Sequence, residues 1–137
     1  MNLHVEIITP EKVIYKDDVS EIIVPTENGQ ITVLANHVNL LTKILPGEMI
    51  IKKGNQEHLL AITGGFLEIA DNQATILADY AVRAEDIEVA NAEAAQKRAE
   101  HMLKEKATDK EFRIAEAELQ KALLQLKVAT KRKRRIK

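Results

Sequence analysis

The sequence predicts an N-terminal antiparallel β-sandwich followed by a C-terminal antiparallel helical hairpin, a β + α fold in two parts. Three observations predict it. Up to about residue 82 the chain runs as short apolar stretches cut by turn residues, as an all-β domain does. From residue 84 to 137 there is neither glycine nor proline, and alanine, glutamate, lysine and leucine dominate. In that second part the apolar residues return every three or four positions, the period of a helix with one covered face.

The strands follow in order. Leu3–Ile7 alternates, and Val19–Val24 alternates more loosely. Between them Thr9-Pro10 breaks the first run, and Asp17-Asp18 reads as a turn. Further strands are expected at Ile31–Leu34, Met49–Lys53, Glu57–Ile62, Phe66–Ile69 and Ala74–Leu77. They are separated by Asn28-Gly29, Pro46-Gly47, Gly54-Asn55, Gly64-Gly65 and Asp71-Asn72. So many strands in so few residues leave no room for crossover helices, which argues for antiparallel pairing.

The boundary falls at Arg83, giving a sandwich over residues 1–83 and a hairpin over 84–137. Asp86 is a plausible cap for the first helix, with Glu88 suited to the positive end of its dipole. Ala92, Ala95, Ala99 and Met102 share one face. Thr108 with Glu111 forms a capping-box pattern that restarts a helix after the polar segment Lys104–Ala107. Phe112, Ala115, Leu119, Ala122, Leu126 and Ala129 then keep the period along the second helix. Three of the four seam residues in the first helix and three of the six in the second are alanine, and a buried methylene contributes only about 0.8 kcal/mol. The helices therefore approach closely but hold each other weakly.

Composition excludes several function classes. The 137 residues contain no cysteine, which removes disulfides, thiolate metal sites and a cysteine nucleophile. The amino end shows no signal-peptide pattern, and the most apolar window, Leu59–Ala70, is interrupted by Gly64, Gly65 and Glu68. No direct membrane insertion is expected. His4, His37, His58 and His101 lack the spacing of a metal site, so no metal is predicted. Gly64-Gly65 has no lysine-serine or lysine-threonine pair after it and reads as a tight strand connection. Glu85, Asp86 and Glu88 read as helix-start residues, not as an acid–base pair.

Net charge is −1, but residues 127–137 hold seven cations and no acids. Removing those seven from the 20 basic residues leaves 13 against 21 acids, a formal −8 for residues 1–126. An acidic body with a basic tip and almost no aromatics does not suit a nucleic-acid partner.

Four motifs, in order, carry a family resemblance over the whole length. Val5-Glu6-Ile7-Ile8-Thr9-Pro10-Glu11 resembles the opening strand and turn of the epsilon subunits of bacterial F-type rotary ATP synthases. Val24 through His37 resembles that family's glycine-bounded turn, strand and histidine-containing loop. Gly64-Gly65-Phe66-Leu67-Glu68-Ile69 and Ile76-Leu77-Ala78-Asp79-Tyr80-Ala81 resemble its late strands. Thr32 and Ala35 depart from the pattern, standing where the family usually has glycine and proline.

The resemblance implies a non-catalytic central-stalk subunit that couples ion flow through the c-ring to ATP synthesis. The sandwich would bind the gamma shaft and the c-ring, with Glu27, Gly29, Gln30 and His37 as contact candidates. For His37, packing within its own loop is an equal alternative. The hairpin would restrain ATP hydrolysis by reaching the alpha-beta catalytic hexamer. Its basic residues Lys127, Lys131, Arg132, Lys133, Arg134 and Arg135 would face an acidic segment of the beta subunit. The implied location is the cytoplasmic face of the bacterial cell membrane, as a peripheral protein. The alternative, drawn from the residues without the family, is a free-standing sandwich-plus-hairpin adaptor that binds an acidic partner through its tail.

Some family members bind ATP in the folded hairpin through Ile/Leu-Asp-x-x-Arg-Ala. The matching stretch here is Ile87-Glu88-Val89-Ala90-Asn91-Ala92, without the arginine. Ile114, Lys121 and Gln125 stand where those relatives carry further arginines. Glu88, Asn91 and Ala92 thus mark a degenerate motif, poor ATP binding is expected, and no cofactor is assigned.

Overall fold

The computed structural model of the protein describes residues 2–105 and 108–135, with no account of the Arg135 side chain. Two compact units emerge, residues 1–83 and 84–137. The first contains β1 (Leu3–Ile8), β2 (Val13–Val19), β3 (Glu21–Thr26), β4 (Gly29–Leu34), β5 (Leu40–Ile44), β6 (Gly47–Lys53), β7 (Gln56–Ile62), β8 (Gly65–Ala70), β9 (Gln73–Ala78) and β10 (Ala81–Arg83). The second contains a 3₁₀ turn (Ala84–Asp86), α1 (Val89–Lys104) and α2 (Asp109–Arg135). The sandwich and the hairpin are both as predicted.

The strands pair in the order β10-β7-β6-β3-β5-β8-β9-β1-β2, with β4 on β3. Residues 21–23 of β3 pair with β6, and Thr26 at its end pairs with Ile44 of β5. That division of one strand leads the path out of the layer β4-β3-β6-β7-β10 and into the layer β5-β8-β9-β1-β2. Every pairing is antiparallel except β1 with β9, which are parallel. No crossover helix is needed there, because the strands between them form the connection.

In strands such as β1, β3 and β8 alternate residues are buried, while Leu59–Ile62 of β7 are buried in succession. Leu3, Val5, Ile7, Ile22, Val24, Ile51, Leu60, Ile62, Leu67, Ile69 and Ile76 are buried together in one aliphatic core. Burying each such side chain contributes about 1.5–3 kcal/mol.

Three strand features differ from expectation. Asp17-Asp18 is not a turn but lies inside β2, opposite Val5 and His4 of β1. Each carboxylate has a cationic or imidazole partner: Lys53 Nζ is 2.5 Å from Asp17 Oδ2, and the His4 ring pairs with Asp18. Pairing across strands lets a dipeptide of low strand propensity stay extended. Besides β2, which was not expected before Val19, strands β5 and β10 are additional.

Within the hairpin, α1 packs against α2. Ala92 and Ala99 of α1 and Ala115 and Ala122 of α2 are buried, while Leu119, Leu126 and Ala129 are half-buried. Phe112 and Met102, expected in the seam, are exposed at 46% and 37%. Both sit near the connector end of their helices, where less of the partner helix is opposite them. Val128 is fully buried although it lies roughly 120° around α2 from Ala122, at about 100° per residue. A second side of α2 is therefore covered. On that side α2 meets the 3₁₀ turn, with Arg132 Nε 3.6 Å from Glu85 Oε2.

The capping expectations meet different outcomes. Thr108 accepts the Glu111 N–H on its hydroxyl at 3.2 Å and starts α2. Asp86 lies in the 3₁₀ turn, and Glu88 takes the N-cap position of α1 without a side-chain cap bond. The intervening 3₁₀ turn moves the helix start by two residues.

Candidate functional site

An outward row of side chains crosses the β5-β8-β9-β1-β2 layer. Strand register places Lys43 opposite Phe66, Phe66 opposite Leu77, Leu77 opposite Ile8 and Ile8 opposite Val13. Phe66, Leu77 and Val13 are exposed at 53%, 54% and 52%, and Ile8 is half-buried. One row along, Leu41 opposite Glu68 is 70% exposed. Leu41 is a diagonal neighbour of Phe66, within reach of its ring. An exposed apolar row on the outer face of a sheet is a candidate interaction surface.

Sequence reasoning missed this row. Its signal was present in the doublets Ile7-Ile8, Leu40-Leu41, Phe66-Leu67 and Ile76-Leu77, each of which makes a strand apolar on both faces.

The four sandwich candidates do not form one cluster. Glu27, Gly29 and Gln30 belong to the β3–β4 turn or its edge, and all are exposed. Thr26 shapes the turn: its hydroxyl donates to the Gly29 carbonyl at 2.6 Å and accepts the Asn28 N–H at 3.2 Å. Gly29 sits at φ +101°, a conformation that side chains rarely adopt. His37 follows the opposite end of β4, which spans about 17 Å at strand rise. It is half-buried, with Nδ1 2.7 Å from the Val38 carbonyl. Since a carbonyl only accepts, Nδ1 carries the proton in that bond. Val38 beside it is 76% exposed.

Gly64 and Gly65 make a strand connection, as expected. A Cβ on Gly65 would stand 2.0 Å from the Leu77 carbonyl oxygen. Among the described residues, no group of three or more histidines and carboxylates could hold a metal ion.

The hairpin candidates separate into two sets. The Asn91 side-chain amide donates to the Glu88 carboxylate, so these two positions are engaged with each other. Ala92 is buried among the helix-packing residues. Of the basic set, Lys127, Lys133 and Arg134 are exposed, and Lys131 and Arg132 are half-buried. Lys127, Lys131 and Arg134 recur at helical spacing and share one side of α2. Arg135 ends α2, its side chain outside the described residues, as are Ile136 and Lys137.

With the geometry in place, comparison with known proteins is informative. Residues 2–84 match the beta-sandwich domain of the ATP synthase delta/epsilon chain, and residues 85–130 match its long alpha-helix domain. The chain is 43% identical over 129 residues to the ATP synthase epsilon chain of Caldanaerobacter subterraneus subsp. tengcongensis, covering 93% of this chain and 94% of that one. It is 42% identical over 129 residues to the ATP synthase epsilon chain of Chloroflexus aggregans, covering 94% and 93%. Among solved structures it resembles a chain of the Euglena gracilis mitochondrial ATP synthase OSCP/F1/c-ring, with TM-score 0.72 and 21% identity, covering 87% of this chain and 76% of that one. It also resembles a chain of the Tetrahymena thermophila mitochondrial ATP synthase central stalk and c-ring, with TM-score 0.63 and 19% identity, covering 94% and 97%. Those two likenesses speak to the fold, while the sequence matches span both units. The chain belongs to the ATP synthase delta/epsilon chain family.

Proposed function

We propose that the chain works as the epsilon subunit of an F-type ATP synthase, a non-catalytic part of the central stalk. Full-length relatedness to epsilon chains, through both units, is the observation that carries this reading. In it the sandwich is the anchor. The apolar row Phe66-Leu77-Ile8-Val13, with Leu41 and the His37 loop, offers the burial needed to grip the gamma shaft. The β3–β4 turn, at the other end of β4 from His37, is free to meet the c-ring with Glu27, Gly29 and Gln30. One small domain would thus touch two partners with different ends.

The hairpin is the regulatory part of the proposal. Its seam is built largely from alanine, so its two-helix form is a state that a better apolar surface can replace. Lys127, Lys133 and Arg134 are already exposed for an acidic segment of the beta subunit, and Arg132 is held near Glu85. The cytoplasmic, peripheral location follows from the same reading. No helix of the described residues is long and apolar enough to cross a membrane.

Reconstitution with the alpha, beta and gamma subunits tests both parts. The full chain should co-purify with gamma in near-equal amounts after a salt wash and lower the ATPase rate. Residues 1–83 alone should still bind gamma but not inhibit. Glutamine at Lys131, Arg132, Lys133, Arg134 and Arg135 should relieve inhibition, and added salt should mimic it. Failure to hold gamma would return the chain to the adaptor reading, and full inhibition by the glutamine variant would assign the block to the apolar helix face.

A further inference from the structure

We infer that Asn72 is a positioning residue for the partner-facing loop of residues 35–39, which it holds through its side-chain amide from a different strand pair. The inference rests on the docking reading of the sandwich and adds a determinant to it.

Strands β8 and β9 are joined by only two residues, Asp71 and Asn72, between the paired Ala70 and Gln73. Both adopt positive φ, +51° and +62°. Positive φ at both central residues is the requirement of the type I′ hairpin turn, which aspartate and asparagine tolerate better than other side-chain-bearing residues. Because neither is glycine, the turn presents side chains to its surroundings.

Three chain segments meet at Asn72. Its Oδ1 accepts the Asn36 N–H at 2.7 Å, and its Nδ2 donates to the Asn2 carbonyl at 2.8 Å. Its own carbonyl accepts the His4 N–H at 3.2 Å. Only one orientation of the amide serves both side-chain bonds, since the N–H can only donate and the carbonyl can only accept. The amide serves both bonds, whereas an aliphatic side chain would serve neither and a purely accepting one only the bond from Asn36.

What it holds is the start of the exposed loop. Asn36 has φ +62°, a conformation uncommon for a non-glycine residue, and its N–H is fixed by Asn72. The next residues are His37 and Val38, and the chain then enters β5, where Leu41 begins the apolar outer face. Anchoring Asn36 pre-organises these residues and lowers the ordering cost of docking.

The test uses the full chain and the gamma subunit of the same complex. Asn72→Gly keeps the positive φ and removes both amide bonds. Asn72→Asp keeps an acceptor for Asn36 but places a carboxylate oxygen against the Asn2 carbonyl. In Asn72→Gly the Asn36 amide should exchange about 10-fold faster, the loss of one hydrogen bond, while the Leu67 amide in the core keeps its protection. Gamma affinity should fall about 5-fold, and Asn72→Asp should restore Asn36 protection and most of the affinity. Leu41→Ser and Phe66→Ser serve as controls for the docking face. If both bind gamma like the wild type, the docking reading fails and the inference with it. If they weaken binding while Asn72→Gly leaves Asn36 protection or gamma affinity unchanged, the inference alone is overturned. Loss of Leu67 protection in Asn72→Gly would assign Asn72 a general structural role and overturn it as well.

Discussion

The sandwich and the hairpin are built on opposite packing strategies. In the sandwich, branched and long aliphatic side chains such as Ile22, Ile51, Leu60 and Leu67 are fully buried from both layers. In the hairpin, the fully buried residues of the seam are alanines, and its leucines are only half-covered. A core of interlocked large side chains permits one arrangement, because any shift opens cavities. A seam of methyl groups loses little when its helices part. Within 137 residues the proposed function thus has a rigid unit suited to anchoring and a weakly held one suited to moving.

The comparison breaks most easily at Gly65. Its φ is +145°, and an added Cβ would meet the Leu77 carbonyl oxygen at 2.0 Å, so strand β9 would have to move. Gly65→Ala should cost on the order of 4 kcal/mol or leave the sandwich unfolded, as read by thermal melting. A smaller loss than about 1 kcal/mol would mean that the β8–β9 pair is far more yielding than the core suggests.

A matched pair of truncations sharpens it. Leu67→Ala, in the sandwich core, should cost about 2–5 kcal/mol in denaturant unfolding. Leu126→Ala, half-buried on α2, should cost about 1 kcal/mol or less. Equal costs would remove the distinction between the two units.

Thr42 tests how completely the core is optimised. It is 7% exposed on β5, and its hydroxyl oxygen has no hydrogen-bond partner. Thr42→Val keeps the shape and removes the orphaned group, so the melting temperature should hold or rise, by about 1 kcal/mol of stability at most. A marked loss would show that the hydroxyl is hydrogen-bonded in solution, as to a buried water.

The smallest expected effect concerns charge. The hydrogen bond from Lys53 and then the backbone N–H of Asp18 hold the Asp17 carboxyl below its ordinary 3.8, and Asp17 in turn raises Lys53 above 10.5. Asp17 therefore contributes stability at pH values above its unfolded pKa, and this is lost as pH falls through the folded one. The Lys53 share is present below its unfolded pKa and is lost as pH rises through the folded value. Asp17→Asn should flatten the acid limb of the stability profile slightly, since the pair is solvent-screened. An unchanged acid limb would show that the pair contributes nothing in solution.

Much of this protein was legible one residue at a time. Alternation along Leu3–Ile7, the turn dipeptides, the absence of glycine and proline after Arg83 and the period from Ala115 to Ala129 are local properties, and local sterics decide them. The basic tip is equally plain in the sequence. Other features needed the tertiary structure. Asp17-Asp18 became strand because His4 and Lys53, distant in sequence, supply partners. The parallel pairing of β1 with β9 joins residues about 70 positions apart, beyond the range of any local pattern. Which member of Phe66-Leu67 or Ile76-Leu77 faces outward is set by cross-strand register, so the exposed apolar row existed only once the strands were paired. The separation of His37 from the β3–β4 turn arises in the same way, since a short stretch of sequence becomes a full strand length when it is extended. Spacing along the chain encodes the elements, while the distances and faces that make a binding surface come from how those elements pair.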